Sequence, residues 1–115
     1  MENTPLTVIN IKNITHAVSG PYANFSVGNV NDHVVRVSVM MEPYYWHYHP
    51  NSDESFLVME GVLVIELEEK LVELLPGQLF TIPKNVKHRT RPKAERSVNI
   101  TFERRDMETV KTPED

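Results

Sequence analysis

The stretch from Ser55 to Pro83, SFLVMEGVLVIELEEKLVELLPGQLFTIP, decides the fold. It reads as consecutive β-strands separated by turns at Glu60-Gly61, at Glu68-Glu69-Lys70 and at Pro76-Gly77. Each break carries residues suited to a turn, and each apolar run between breaks has the length of a strand. Outward from this stretch the pattern continues. In HVVRVSVMME (33–42), Val35, Val37, Val39 and Met41 fall on one side and Arg36, Ser38 and Glu42 on the other, the period-two alternation of a half-buried strand. Arg36 and Glu42 are therefore expected to be exposed. SVNITFE (97–103) repeats the strand pattern, prolines at 43, 50, 76, 83 and 92 punctuate the runs, and no window shows a convincing helical period. The chain is expected to be all-β with helix a minor component at most, a sandwich or barrel, with a jelly roll among the ways to close it.

A chain of 115 residues supports one domain, 1–115, with polar ends at 1–4 and 105–115 that are expected to be loose. Apolar content of 40% and charged content of 24% are those of a folded protein, and a net charge of −4 argues against a dedicated nucleic-acid or membrane-surface protein. With no cysteine, disulfides, zinc ribbons, thiolate nucleophiles and iron–sulfur clusters are excluded together. Any metal must be held by His, carboxylate and water. The opening MENTPLTVINIKNITH lacks the apolar run of a signal peptide and no later segment approaches a membrane span, so a cytoplasmic protein is expected.

One short segment carries the chemistry. In WHYHPNSDE (46–54), His47 and His49 share a side of an extended segment, and the Pro50-Asn51-Ser52 turn lets Glu54 return a carboxylate toward the same face. His88 follows the strand that ends at Pro83. Three imidazole nitrogens and one carboxylate oxygen suit a divalent transition metal better than calcium or magnesium. Asp53 is read as a turn residue, and His16 and His33 as ordinary surface histidines. Tyr45 shares parity with the two histidines and is the one weak candidate for a catalytic group, while Trp46 and Tyr48 point away. Phe56 and Val58, in phase with Glu54, are expected as apolar walls, with Leu63, Ile65 and Leu67 deeper, suiting a small, partly apolar ligand. The basic run from Lys84 to Arg96 reads first as a charged edge strand and second as an anion-attracting mouth using Arg89 and Arg91.

These residues resemble the two motifs of the cupin superfamily. The first, G(x)5HxH(x)3-4E(x)6G, is matched by His47, His49, Glu54 and Gly61; the second, G(x)5PxG(x)2H(x)3N, by Gly77, Pro83 and His88. Met41, Asn85 and Pro92 stand where the motifs have Gly, Gly and Asn, and Asn tolerates a left-handed turn. The resemblance covers about residues 34 to 102. It implies a double-stranded β-helix, a cupin barrel of two antiparallel sheets, with a divalent metal (Mn, Fe, Ni, Zn, Co or Cu) on His47, His49, Glu54 and His88, and frequent homodimers. The function expected is metal-dependent action on a small oxygen-bearing molecule, of dioxygenase, isomerase or decarboxylase type if the protein is an enzyme. The alternative is a non-catalytic module binding a sugar or an acid. No nucleic-acid or membrane partner is expected, and there is no helix-turn-helix.

Overall fold

A computed structural model of the chain describes residues 5–113, so the expected loose N-terminal stretch 1–4 lies outside the described residues. One short helix, α1 (Ile11–His16), precedes ten strands: β1 (Tyr22–Val30), β2 (His33–Met40), β3 (His47–Tyr48), β4 (Glu54–Glu60), β5 (Leu63–Leu67), β6 (Leu71–Leu74), β7 (Leu79–Ile82), β8 (His88–Pro92), β9 (Ser97–Arg104) and β10 (Val110–Lys111). They form two five-stranded antiparallel sheets, ordered β1-β2-β9-β4-β7 and β10-β3-β8-β5-β6. From β2 to β10 every consecutive pair of strands except the β5–β6 hairpin crosses between the sheets, and this rolls the chain into a double-stranded β-helix. Among the described residues no helix is long and apolar enough to cross a membrane.

The turns fall where backbone chemistry requires them. Gly61 adopts φ +73°, and a Cβ at that position would collide with the carbonyl oxygen of Arg96; only glycine fits. Gly77 sits at φ +86° and Asn85 at φ +70°, so asparagine does fill the left-handed position where the second motif has glycine. The basic run does not form an edge, because β8 lies between β3 and β5.

Two apolar clusters lie on opposite sides of the first sheet. Phe56, Val58, Leu63, Ile65, Leu74 and Ile82 fill the space between the sheets together with Met40. Val27, Val37, Val39, Val98 and Ile100 form the second, packed against Ile9, Ile11, Ile14 and Val18 from the helical N-terminal segment. This reverses the expected sense of β2. Its valine face looks out of the barrel and is covered by the N-terminal segment, whereas Arg36, Ser38 and Met40 look in; Met41, expected to be buried, lies beyond the strand and is 45% exposed. Alternation predicts which residues share a face but is blind to a second layer that makes the apolar face an inner one.

From Arg105 to Pro113 the C-terminal segment is tied to the barrel; residues 114 and 115 of the end expected to be loose lie outside the described residues. Val110 and Lys111 pair with Tyr48 and His47, the Thr112 amide donates to the Trp46 carbonyl oxygen, and Asn51 bridges Asp106 and Glu108 through its amide. These backbone partners hold it across the strand that carries the histidines.

Candidate metal centre

His47 and His49 project from and just beyond β3, Glu54 opens β4, and His88 opens β8, with His47 and His88 register partners across the β3–β8 ladder. The structure brings all four together. Ring centroids lie 4.3 Å apart for His47 and His88, 4.8 Å for His47 and His49, and 5.4 Å for His49 and His88. One ligand atom from each residue lies within 4.8 Å of every other, and all four residues are buried.

Each histidine is held from behind. Nδ1 of His47 donates to the Tyr45 carbonyl oxygen at 2.6 Å, Nδ1 of His49 to that of Glu108 at 3.0 Å, and Nδ1 of His88 to that of Val86 at 2.9 Å. A carbonyl can only accept, so these contacts place the proton on Nδ1 and leave the Nε2 lone pair for the centre of the group. Nε2 of His88 is buried with no hydrogen-bond partner among the described residues, Oε1 of Glu54 lying 3.6 Å away. A buried, unpaired lone pair beside two other imidazoles and a carboxylate is costly for the protein alone and is what a divalent cation satisfies. The donor set fits a metal. Burial, then the charge of His88, pushes His47 down to about 4 and keeps it neutral. Burial works against charge on Glu54 too, but the imidazoles of His49 and His88, 3.1 and 3.6 Å from its Oε1, outweigh it and hold the carboxyl well below the usual range. Burial likewise opposes charge on His49, whose pKa is nonetheless raised by Glu54, 3.1 Å away.

The group opens into a cavity of about 290 Å³ whose far wall the sequence reading missed. Strand β9 places Glu103 directly opposite Glu54, Thr101 opposite Phe56 and Asn99 opposite Val58. On its other side Arg36 faces Thr101 and Ser38 faces Asn99. Two carboxyls in register disfavour two negative charges. Burial first, then the charge of Glu54, pushes Glu103 up to about 8. Arg36 Nε reaches Glu103 at 3.2 Å and its Nη1 donates to Asn24 at 3.3 Å. The signal was present in SVNITFE, where an acid and an amide stand in phase with a threonine, but the sequence reading went no further than the strand pattern. Arg36 is half-buried at this wall, a correction to its expected exposure; Glu42 is exposed.

Other expectations sort by position. Tyr45 does not enter the cavity. Residues 43–46 are not strand, so parity with His47 fails; Tyr45 is 59% exposed with Lys111 Nζ 4.1 Å from its ring, and Tyr44 lines the cavity in its place, edge-on to His47. Trp46 is half-buried beneath Lys87 and Arg89. Phe56 and Val58 are buried as apolar wall and core, with Leu63 and Ile65 deeper. Arg89 and Arg91 do not reach the mouth: both pair with Glu66, because their parity on β8 is opposite to that of buried His88 and Thr90. Asp53 accepts from the Lys84 amide, as a turn residue does, and His33 sits exposed beside Asp32.

Comparison with known proteins agrees with this architecture. The cupin domain family matches residues 37–101. The uncharacterized protein YdbB of Bacillus subtilis (strain 168) is 43% identical over 102 residues, 88% of this chain and 89% of that protein. Among solved structures, a cupin-2 domain containing protein from Shewanella frigidimarina superposes with a TM-score of 0.79 at 28% identity, covering 85% of this chain and 95% of that one. A sugar phosphate isomerase from Silicibacter pomeroyi shares the fold at 17% identity, with a TM-score of 0.71 over 83% of this chain and 68% of that one. Motif residues, barrel topology and these matches agree, and the chain belongs to the cupin family.

Proposed function

We propose that the protein is a metal-dependent cupin acting on a small oxygen-bearing molecule, with His47, His49, Glu54 and His88 as the ligands of a divalent transition metal. The carrying observation is the convergence of four buried donor atoms, with Nδ1 of His47, His49 and His88 each tied to a backbone carbonyl and the Nε2 of His88 without a hydrogen-bond partner among the described residues. A bound ion of this kind supplies a Lewis acid to a carbonyl, carboxylate or water oxygen. The protein's own part is arrangement. The carbonyls of Tyr45, Val86 and Glu108 fix the imidazole planes, Phe56 and Met40 keep one flank of the cavity apolar, and Glu103 lies beside Glu54 as a carboxyl that retains a proton.

Elemental analysis of protein purified from its native host tests this directly. We expect close to one equivalent of Mn, Fe, Co, Ni, Cu or Zn, with His49→Ala and His88→Ala losing most of it while circular dichroism stays that of the parent. Undiminished metal in both variants would overturn the ligand set. A second reading, a module that binds a sugar or an acid without converting it, is favoured by the neutral hydroxyl and amide groups of Ser38, Asn99 and Thr101 on the cavity wall. Turnover separates the two: a ligand that raises the melting temperature of metal-loaded protein yet is recovered unchanged selects the binding module.

A further inference from the structure

The cavity wall facing the metal group has a chemistry of its own. Strands β2 and β9 turn Arg36, Ser38, Asn99 and Thr101 toward the space between the sheets, where a closed barrel ordinarily packs apolar side chains. Asn99 is only 1% exposed, and its Oδ1 has no hydrogen-bond partner among the described residues. A buried acceptor left unpaired asks for a donor, and a cavity-filling hydroxyl supplies one. The guanidinium of Arg36 lies 3.2 Å from Glu103 and is steadied by Asn24, while Arg104 and Arg105, which also line the cavity, are held by Asp32 and Asp106 and by the carbonyl oxygens of Asn31 and His33. This part of the wall therefore offers directed hydrogen bonds from side chains already engaged by the protein, beside the neutral hydroxyl and amide groups of Ser38, Asn99 and Thr101, a pattern that suits hydroxyl groups. On another side stand two aromatic rings, Tyr22 and Tyr44, 5.7 Å apart and both lining the cavity. Tyrosine presents an apolar face beside a polar tip. The volume of about 290 Å³ equals that of about ten waters, the size class of a pentose or hexose.

We propose that this cavity takes a neutral monosaccharide, with its hydroxyl edge on Arg36, Ser38 and Asn99 and a C–H face on Tyr22 and Tyr44. The proposal deepens the reading of the site as a metal centre and rests on it only for the end of the ligand that meets His47, His49, Glu54 and His88. Calorimetric titration checks it, with D-glucose, D-galactose, D-fructose, D-ribose and D-xylose as probes and cyclohexanol and inorganic phosphate as controls. Both chelator-treated protein and protein carrying its native ion are titrated, with metal content measured in parallel. At least one sugar is expected to bind, and to bind about tenfold or more tighter than either control. Asn99→Leu is expected to weaken that sugar about tenfold with metal content unchanged. Tyr22→Ala, at a position 42% exposed and therefore safe for folding, should weaken it about threefold. Sugars that bind neither preparation, or no better than cyclohexanol or phosphate, overturn the proposal whatever the metal content. Unchanged affinity in Tyr22→Ala together with Asn99→Leu overturns the assigned wall. Sugar binding by a protein that takes up no metal sinks the metal reading alone.

Discussion

Strands β4 and β9 are neighbours in one sheet, both alternate, and they spend their inward faces oppositely. β4 turns Glu54, Phe56 and Val58 into the barrel, one member of the group able to hold a metal followed by core. Beside it β9 turns in Asn99, Thr101 and Glu103, and puts Val98 and Ile100 on the outer face under the N-terminal segment. The difference teaches that apolar and inward are separate properties. A barrel wall that borders a cavity can be polar inside, provided a further layer buries its apolar outside.

The outer face gives the largest expected effect. Ile100→Ala should cost about 2–5 kcal/mol in urea unfolding, as a core truncation does, whereas Thr101→Val, one residue along and facing the cavity, should cost about 1 kcal/mol or less. Equal costs would mean that the cluster beneath the N-terminal segment is no core. Next is the C-terminal segment, whose Glu108 carbonyl and Thr109 hydroxyl meet His49 Nδ1 at 3.0 and 3.2 Å. Ending the chain at Arg105 should weaken metal affinity about 10- to 100-fold, the usual cost of losing the group that orients a ligand; competition with a fluorescent chelator measures it, and unchanged affinity would show that the segment merely covers the site.

A smaller effect sharpens the pairing of Glu54 with Glu103. The folded pKa of Glu103, about 8, lies above its ordinary 4.5, so the folded state holds an extra proton; that stabilisation is complete below pH 4.5 and is lost as pH rises through 8. His47, lowered from 6.5 to about 4, has the opposite sign and contributes fully above pH 6.5. Metal-free protein in a chelator should therefore lose stability between pH 6.5 and 8, by at most about 1.4 kcal/mol per pH unit for each proton. Glu103→Gln should flatten that slope; a slope of the parent's size would place the titration elsewhere. The smallest effect belongs to the outer face of β8. Arg91→Ala removes one partner of the part-buried Glu66, which keeps Arg89 at 2.9 Å, and should change stability by about 1 kcal/mol or less and metal content not at all.

The ligand group was legible because it is local. His47, His49, Glu54 and Gly61 fall within fifteen residues, and His88 follows a turn whose Pro83 and Asn85 are themselves recognisable. Strand existence and most turns were legible for the same reason, since alternation and left-handed turn residues act over a few positions. What failed was assigned by parity across segments that are not strand, as with Tyr45, or by equating polar with exposed, as with Arg36. The pairing of the C-terminal segment was not legible, because its partners, such as Asn51, lie more than fifty residues away.

By itself the sequence determined the all-β barrel and the four residues able to bind a metal, because period-two burial, positive-φ turns and short ligand spacings are properties of neighbouring residues. Only the tertiary structure decided that Glu103 meets Glu54, that Tyr44 and not Tyr45 lines the cavity, and which side of β2 and β9 is inside. Those facts depend on strand register and on the layer laid over the sheet, and both are settled by contacts between residues far apart in the chain.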